Sequence, residues 1–265
     1  MIKTAVIPLA GLGTRMLPLT KALPKELWPL GDKSILEIIL DECFDAGIKE
    51  VIFVISKKKE VIKNYFKRDY LLETKIKNNK NTLNKLKKLN KTSQKIKFVY
   101  QNNPKGLGHA VLCAKKFIKS DYFLLVLPDD IIINKNCSKE LVEINKKQKG
   151  SVVALREVSK KEVKRYGIVA IENKKKFKIS KMVEKPDIKN APSRYAIIGR
   201  YILNSLIFKN LSKQKSGKLG EIQITDALNA MIENENFYGC KFKGKYLDCG
   251  TIEGYINSFI EINKK

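Results

Sequence analysis

Short, nearly unbroken apolar runs alternate along this chain with segments whose apolar residues recur at helical spacing. Thr4–Leu9, Glu50–Ile55, Ile96–Tyr100 and Tyr122–Leu127 are built largely from Val, Ile, Leu and Phe. Runs of that length without polar alternation predict strands buried on both faces of a parallel sheet. Between them, Ser34–Ala46 carries Ile35, Leu36, Ile38, Ile39, Leu40 and Cys43 with acids interspersed, and Gly47 follows. That pattern predicts a helix closed by a C-terminal glycine. Ala110–Ile118 and Lys139–Gln148 predict two further helices. Strand, helix and strand in alternation predict an α/β fold with a mostly parallel central sheet.

Residues 57–95 break the alternation. They are rich in Lys and Asn but keep helical apolar spacing at Val61, Ile62, Tyr65 and Phe66, and again at Leu83, Leu86 and Leu89. Two solvated helices around an Asn-rich turn near Asn78–Asn81 are expected there, as an excursion from the sheet. No repeat or low-complexity linker divides the 265 residues, so one domain over residues 1–265 is expected.

Composition narrows the class. With 43% apolar and 30% charged residues the chain reads as globular and is too apolar for disorder. The run Phe123-Leu-Leu-Val-Leu-Pro128 is far too short to cross a bilayer, and the N-terminus does not read as a signal peptide. A cytoplasmic protein is expected, without a membrane partner. Cys43, Cys113, Cys137, Cys240 and Cys249 are odd in number and dispersed, which suits reduced, mostly buried thiols and supplies no clustered zinc ligands. The net charge of +26 raises the question of nucleic acid. The excess is lysine scattered among Asn and Ile, however, with only six arginines, the enrichment that A/T-rich coding produces. No helix-turn-helix, zinc finger or aromatic-laced basic helix accompanies it, so no nucleic-acid partner is expected.

The chemistry gathers where the first strand ends. Gly11-Leu-Gly13-Thr-Arg15 lies at the carboxyl edge of a predicted parallel sheet, where α/β proteins bind ligands, and its amides can form an anion nest. A dinucleotide fingerprint would need a third Gly where Met16 stands, and a Walker loop would need Gly-Lys-Ser/Thr. Downstream come Arg15, Lys21 and Lys25, stiffened by Pro18, Pro24 and Pro29. Cations held at fixed positions fit preorganised phosphate binding and favour phosphoryl or nucleotidyl transfer. Further on, a strand ends in Asp129 and Asp130, which strand alternation sends to opposite sides. Such a pair could hold a metal or cap the next element.

AGLGTRMLPLTKALPKELWPL closely resembles the signature G-x-G-T-R-x-L-P-x-T-K-x-x-P-K-E-x-x-P of bacterial UTP–glucose-1-phosphate uridylyltransferases, in the sugar-nucleotide pyrophosphorylase superfamily. The resemblance continues in order through nearly the whole chain. It takes in Gln101 with Gly106-Leu-Gly108-His-Ala110, Leu127-Pro-Asp129-Asp130, Tyr166-Gly167-Ile-Val169 and Val183-Glu-Lys-Pro186. It ends with Ala196-Ile-Ile-Gly199-Arg-Tyr201, Gly220-Glu-Ile-Gln-Ile-Thr-Asp226 and Asp248-Cys-Gly250. The Thr-Lys-x-x-Pro-Lys-Glu run and the 57–95 excursion look uridylyltransferase-like, more than like the thymidylyl or cytidylyl relatives.

The resemblance implies a single-domain, Rossmann-like three-layer sandwich of nucleotidyltransferase type, with a mixed, mostly parallel central sheet. It implies that UTP and glucose 1-phosphate give UDP-glucose and pyrophosphate with Mg²⁺ as cofactor, in a homo-oligomer, dimer or tetramer. Ala10, Gly11, Gly13 and Thr14 would meet the nucleotide, with Gln101 and Gly106 on the uracil. Arg15 would hold the departing phosphates. Lys25 would bridge the α-phosphate and the attacking phosphate, and Lys185 would fix the latter. Gly167 and Glu184 would contact the sugar, and Asp129 and Asp248 the metal. His109 is given no role as base, because attack by a ready-made phosphate anion needs no proton removal. Two positions depart from the pattern: Trp28, where an aliphatic residue is usual, and Ile252, where Lys is common. A thymidylyl or cytidylyl specificity, or a catalytically silent regulatory paralogue, stands as the alternative.

Overall fold

A computed structural model describes residues 2–173, 175–214 and 221–264. In chain order β1 (Thr4–Pro8) is followed by the hairpin β2 (Pro29–Leu30) and β3 (Lys33–Ser34), then α1 (Ile35–Asp45) and β4 (Glu50–Ile55). Three helices, α2 (Glu60–Phe66), α3 (Tyr70–Lys75) and α4 (Lys80–Ser93), lead to β5 (Ile96–Tyr100). Next come α5 (Gly106–Cys113), β6 (Tyr122–Val126), β7 (Asp130–Ile133), α6 (Cys137–Gln148), β8 (Ser151–Glu157), β9 (Gly167–Asn173), β10 (Lys178–Glu184) and β11 (Tyr195–Asn204). The chain closes with α7 (Ile207–Lys213), α8 (Ile224–Met231), β12 (Phe237–Lys241), β13 (Lys245–Asp248) and α9 (Ile252–Ile262).

The four apolar runs form strands at or within one residue of the expected bounds. They make the parallel half of a nine-stranded sheet in the order β5-β4-β1-β6-β11-β8-β12-β10-β9. Alternate side chains serve two cores. Ile7 and Phe53 point to the face covered by α1 and α6, whereas Val6 and Ile52 point to the face covered by α5, α7 and α8. Helices on both faces explain why those strands are apolar at nearly every position.

The sheet is mixed, not mostly parallel. Among the described residues β1, β4, β5 and β6 pair in parallel, as do β8 and β12, but five pairings are antiparallel: β6–β11, β11–β8, β12–β10, β10–β9 and β11–β9. Burial on both faces, and not strand direction, sets an unbroken apolar run. The ten-residue β11 is buried almost throughout although both of its long pairings are antiparallel.

Helix ends follow local chemistry. Ser34 caps α1 by accepting from the Glu37 amide, while the Glu37 carboxylate accepts from the Ser34 amide, a reciprocal box that satisfies two orphan donors. The 57–95 excursion holds three helices, not two. The extra one, α3, lacks a buried stripe and is held by its Asp69 cap and by the Arg68–Glu73 ion pair. Helix α5 starts at Gly106, four residues before the apolar spacing begins. Gly108 lies so close to Ile222 that a Cβ would meet its side chain and carbonyl at 2.7 Å, so tertiary packing overrides glycine's poor helix propensity.

One buried ion pair fixes the strand ends beneath the site. Arg200 on β11 is fully buried and grips Glu42 of α1 through Nη2–Oε2 at 2.8 Å and Nε–Oε1 at 3.0 Å. Ser138 donates its hydroxyl and amide to the same carboxylate, and Arg200 Nη1 donates to the carbonyls of Leu127 and Gly199. Burial alone would raise the Glu42 pKa, but the charge and hydrogen bonds of Arg200 outweigh it and hold the carboxyl below its usual value. Arg200→Met leaves that carboxylate buried and unpaired, so a loss of about 3 kcal/mol in urea unfolding at pH 7 is expected, with partial recovery in Glu42→Gln/Arg200→Met. A carboxyl with a depressed folded pKa contributes stability above its unfolded pKa and loses it as pH falls through the folded one. The gap between wild type and Arg200→Met should therefore narrow in acid; a gap that is constant with pH would refute the pairing argument.

Candidate active site

The carboxyl ends of the adjacent parallel strands β1 and β6 open side by side. After β1 the backbone turns at Gly13, whose φ of +66° is left-handed and costs little only for glycine. Thr20 donates its hydroxyl to the Gly13 carbonyl at 2.9 Å and closes the loop on itself. A short 3-10 turn, Lys25–Leu27, follows Pro24 and aims consecutive side chains apart. Lys25 reaches Asp129 Oδ2 at 2.8 Å. Glu26 turns inward and accepts from the buried ammonium of Lys59 at 2.7 and 2.9 Å. Burial lowers the Lys59 pKa against the charge of Glu26, so this pair anchors the loop to the first turn of the excursion.

The two acids after β6 separate, but not by strand alternation: Asp129 lies in the turn between β6 and β7, and Asp130 opens β7. Asp129 faces the loop after β1, with Lys25 in contact and Arg15 Nη2 at 3.9 Å. Burial opposes its ionisation, but the Lys25 charge and hydrogen bond, with help from Arg15, hold its pKa below the usual carboxylate range. Asp130 borders the same hollow as Asp129 but has both oxygens engaged, accepting from the Tyr246 hydroxyl at 2.6 Å and from the Gly199 amide at 2.9 Å. Burial and the neighbouring Asp129 charge push it up to about 6.

In the β7–β13 ladder Asp130 stands opposite Asp248, which brings the second predicted acid to the same rim. Asp248 Oδ1 accepts from the Gly250 amide at 2.8 Å and Oδ2 from Arg165 Nη2 at 3.1 Å. A Cβ built on Gly250 would lie 3.0 Å from Asp248 Oδ1, 3.2 Å from Asp129 Oδ2 and 3.5 Å from Arg15 Nη1. Gly250 thus leaves a space onto which two carboxylates and a guanidinium converge.

Across the cleft, register places Glu184 of β10 opposite Gly167 of β9. Thr225 donates to Glu184 Oε2 at 2.6 Å, and Lys185 Nζ lies 3.6 Å from Oε1. Lys185 has a φ of +42°, an unusual conformation for a residue with a side chain, and its amide donates to the Tyr166 carbonyl. Arg15, Asp129, Gly167, Glu184, Lys185 and Asp248 line one hollow of about 310 Å³. A larger hollow of about 790 Å³, between α6 and β12 and rich in lysine, holds none of these residues.

The nucleotide-side candidates lie beside this hollow rather than in its lining. Gln101 is buried, and its amide nitrogen lies 3.2 Å from the Gly106 carbonyl and 2.9 Å from His109 Nδ1. These two predicted residues therefore meet, and Leu107 and Glu221 beside Gly106 line the hollow. Burial and the charge of Lys105 lower the His109 pKa. Ala10 is buried, and Gly11 and Thr14 are exposed, on the loop that carries Arg15. Gly220 of the Gly220–Asp226 motif lies outside the described residues. Trp28 is buried, donates to the Leu23 carbonyl and packs edge-on against Tyr255, while Ile252 opens α9.

Four participants were not anticipated from the sequence: Arg165, Tyr246, Thr225 and Lys59. Thr225 stood inside a quoted motif and Arg165 directly before another. Lys59 is one of three successive lysines, and nothing local sets it apart.

Known proteins resemble this chain over nearly its whole length. A family model described as nucleotidyl transferase matches residues 4–265. The UTP–glucose-1-phosphate uridylyltransferase of Mycoplasma genitalium is 40% identical over 100% of this chain and 93% of its own length. Among solved structures, a UDP-glucose pyrophosphorylase complexed with UDP-glucose superposes with a TM-score of 0.88 at 37% identity, covering 98% of both chains. A UTP-bound UGPase from Acinetobacter baumannii gives a TM-score of 0.87 at 32% identity, covering 98% of this chain and 93% of its own.

Proposed function

The chain belongs to the nucleotidyl transferase family, and from that premise we propose that its cleft makes UDP-glucose and pyrophosphate from UTP and glucose 1-phosphate. One observation carries the reading. Arg15 and two carboxylates, one of them bonded to Lys25, converge on Gly250 at one side of a hollow whose other side presents Glu184, Thr225 and Lys185. A phosphate oxygen of glucose 1-phosphate attacks the α-phosphorus of UTP, and the bond from that phosphorus to the β-phosphate bridging oxygen breaks. Pyrophosphate leaves with the electron pair. No covalent bond to the protein is formed, so catalysis is positioning and charge neutralisation. Arg15 holds the leaving phosphates, Lys25 lies between the α-phosphate and its attacker, and Lys185 fixes the sugar phosphate. Ala10, Gly11, Gly13 and Thr14 cradle the nucleotide, and Gln101 and Gly106 present the amide and carbonyl groups that an imide edge requires.

Asp129 and Asp248 fit Mg²⁺, because one or two carboxylates completed by phosphate oxygens and water are its usual set. The open space at Gly250 faces one oxygen of each. When bound, Mg²⁺ supplies positive charge to the phosphate oxygens. The reading extends to one three-layered domain over residues 1–265 with a helical excursion at 57–95, acting as a homo-oligomer in the cytoplasm. Among the described residues no helix is long and apolar enough to cross a membrane.

Purified protein offered UTP, dTTP, CTP and ATP with glucose 1-phosphate tests the reading. UDP-glucose should dominate; product with dTTP alone would reassign the base, and no product with any would favour the silent paralogue. The sugar side has its own test. Glu184→Ala removes an acceptor placed over Gly167, and a site built to accept hydroxyl hydrogen bonds loses roughly 1–3 kcal/mol per unmet partner. The Michaelis constant for glucose 1-phosphate should rise and discrimination against galactose 1-phosphate should fall, with UTP binding by calorimetry nearly unchanged. Collapse of UTP binding with intact sugar dependence would put Glu184 on the nucleotide side.

A further inference from the structure

Beyond the two carboxylates themselves, we infer that Arg165 is the positioning residue that aims Asp248 at the Gly250 space; the inference rests on the metal reading above. Asp248 is the last residue of β13, where a carboxylate can rotate unless both of its oxygens are held. Both are. The Gly250 amide takes Oδ1 at 2.8 Å, and Arg165 Nη2 takes Oδ2 at 3.1 Å from the opposite side. Held at both ends, the group presents Oδ1 to the point that Asp129 Oδ2 approaches at 3.2 Å. Without Arg165 only the Gly250 contact remains, and one hydrogen bond does not set the tilt of the group.

Arg165 is itself fixed. It ends a 3-10 turn, Val163–Arg165, with its amide on the Glu162 carbonyl at 2.9 Å, and its guanidinium lies 5.6 Å from the Tyr166 ring centroid. Gly167, opposite Glu184, is two residues on, so one short segment serves both sides of the cleft. The Arg165 side chain is half exposed, and exposed ion pairs add little to stability. Its consequence is therefore orientation of a ligand and not folding. Outer-shell partners of this kind typically set metal affinity by about 10–100-fold.

The test is direct titration of Mn²⁺, followed by its paramagnetic resonance, into protein saturated with a non-cleavable UTP analogue. Wild type, Arg165→Met, Arg165→Lys and Asp248→Asn are compared, with the analogue alone as blank. Arg165→Met should bind Mn²⁺ roughly 10–100-fold more weakly than wild type, Arg165→Lys should recover part of the loss, and both should melt at the wild-type temperature. If Arg165→Met binds Mn²⁺ as well as wild type, or more tightly because a nearby cation has gone, while Asp248→Asn binds weakly, the positioning role is wrong and the metal reading stands. If wild type holds no more Mn²⁺ than the analogue alone, the metal reading fails, and this inference with it.

Discussion

Lys25→Ala should lower turnover on the order of 10³-fold, about 4 kcal/mol of activation free energy, while shifting the dissociation constant for UTP far less. Only an interaction stronger in the transition state than in the ground state produces that split. The placement of Lys25 supports it. Its stem is largely buried, Pro24 precedes it, and its neighbour Glu26 is locked to Lys59, so the ammonium is held in place rather than mobile in solvent. That ammonium rests on Asp129 at 2.8 Å, within the same group of charges as Arg15 and the Gly250 space. Negative charge building on the α-phosphorus oxygens would meet a cation already in position, at no cost of reorganisation. Lys25→Arg should recover little, because a planar fork does not place its charge where a compact ammonium does. Steady-state kinetics beside calorimetric UTP binding decides the matter: equal losses in both, or in neither, would make Lys25 an ordinary surface charge.

What the sequence disclosed and what it withheld divide along physical lines. Strands β1, β4 and β6 were legible because burial on both faces leaves a local mark, an unbroken apolar run. The direction of β11 left no such mark, since an antiparallel strand covered on both faces reads identically. The sheet is mixed as expected, but among the described residues antiparallel pairings outnumber the parallel ones expected to dominate. The loop after β1 stood out in the sequence because Gly, Pro, Arg and Lys crowd together there for no reason a core or a solvated surface supplies. The divergence of Asp129 and Asp130 was expected from the two-residue strand period, but Asp129 lies in the turn between β6 and β7, and the turn sets it. Arg165, Tyr246 and Lys59 were hidden for a different reason. Their partners Asp248, Asp130 and Glu26 lie 83, 116 and 33 residues away, and no local pattern encodes a contact made by the tertiary fold.

The same divergence of neighbours underlies the second large effect, Asp129→Asn. The amide keeps the shape of the carboxylate and removes the charge that a hard dication requires. Turnover at cellular Mg²⁺ should fall on the order of 10³-fold, consistent with the several kcal/mol of charge stabilisation a bound metal contributes. Part of that loss should return as Mg²⁺ is raised. Asp130→Asn makes the internal comparison, because Asp130 is equally acidic in sequence and differs only in direction. Both of its oxygens are already engaged, by the Tyr246 hydroxyl and the Gly199 amide, and burial beside Asp129 pushes its pKa up to about 6. An amide there can still accept one of the two bonds, so the expected cost is roughly 1–3 kcal/mol of stability with a much smaller change in Mg²⁺ requirement. Titrating activity against Mg²⁺ for both variants, with urea unfolding alongside, separates the two roles. Should Asp130→Asn be the variant that demands more Mg²⁺ while Asp129→Asn is merely less stable, Asp130 is the ligand, and the convergence of side chains on Gly250 does not mark the metal site.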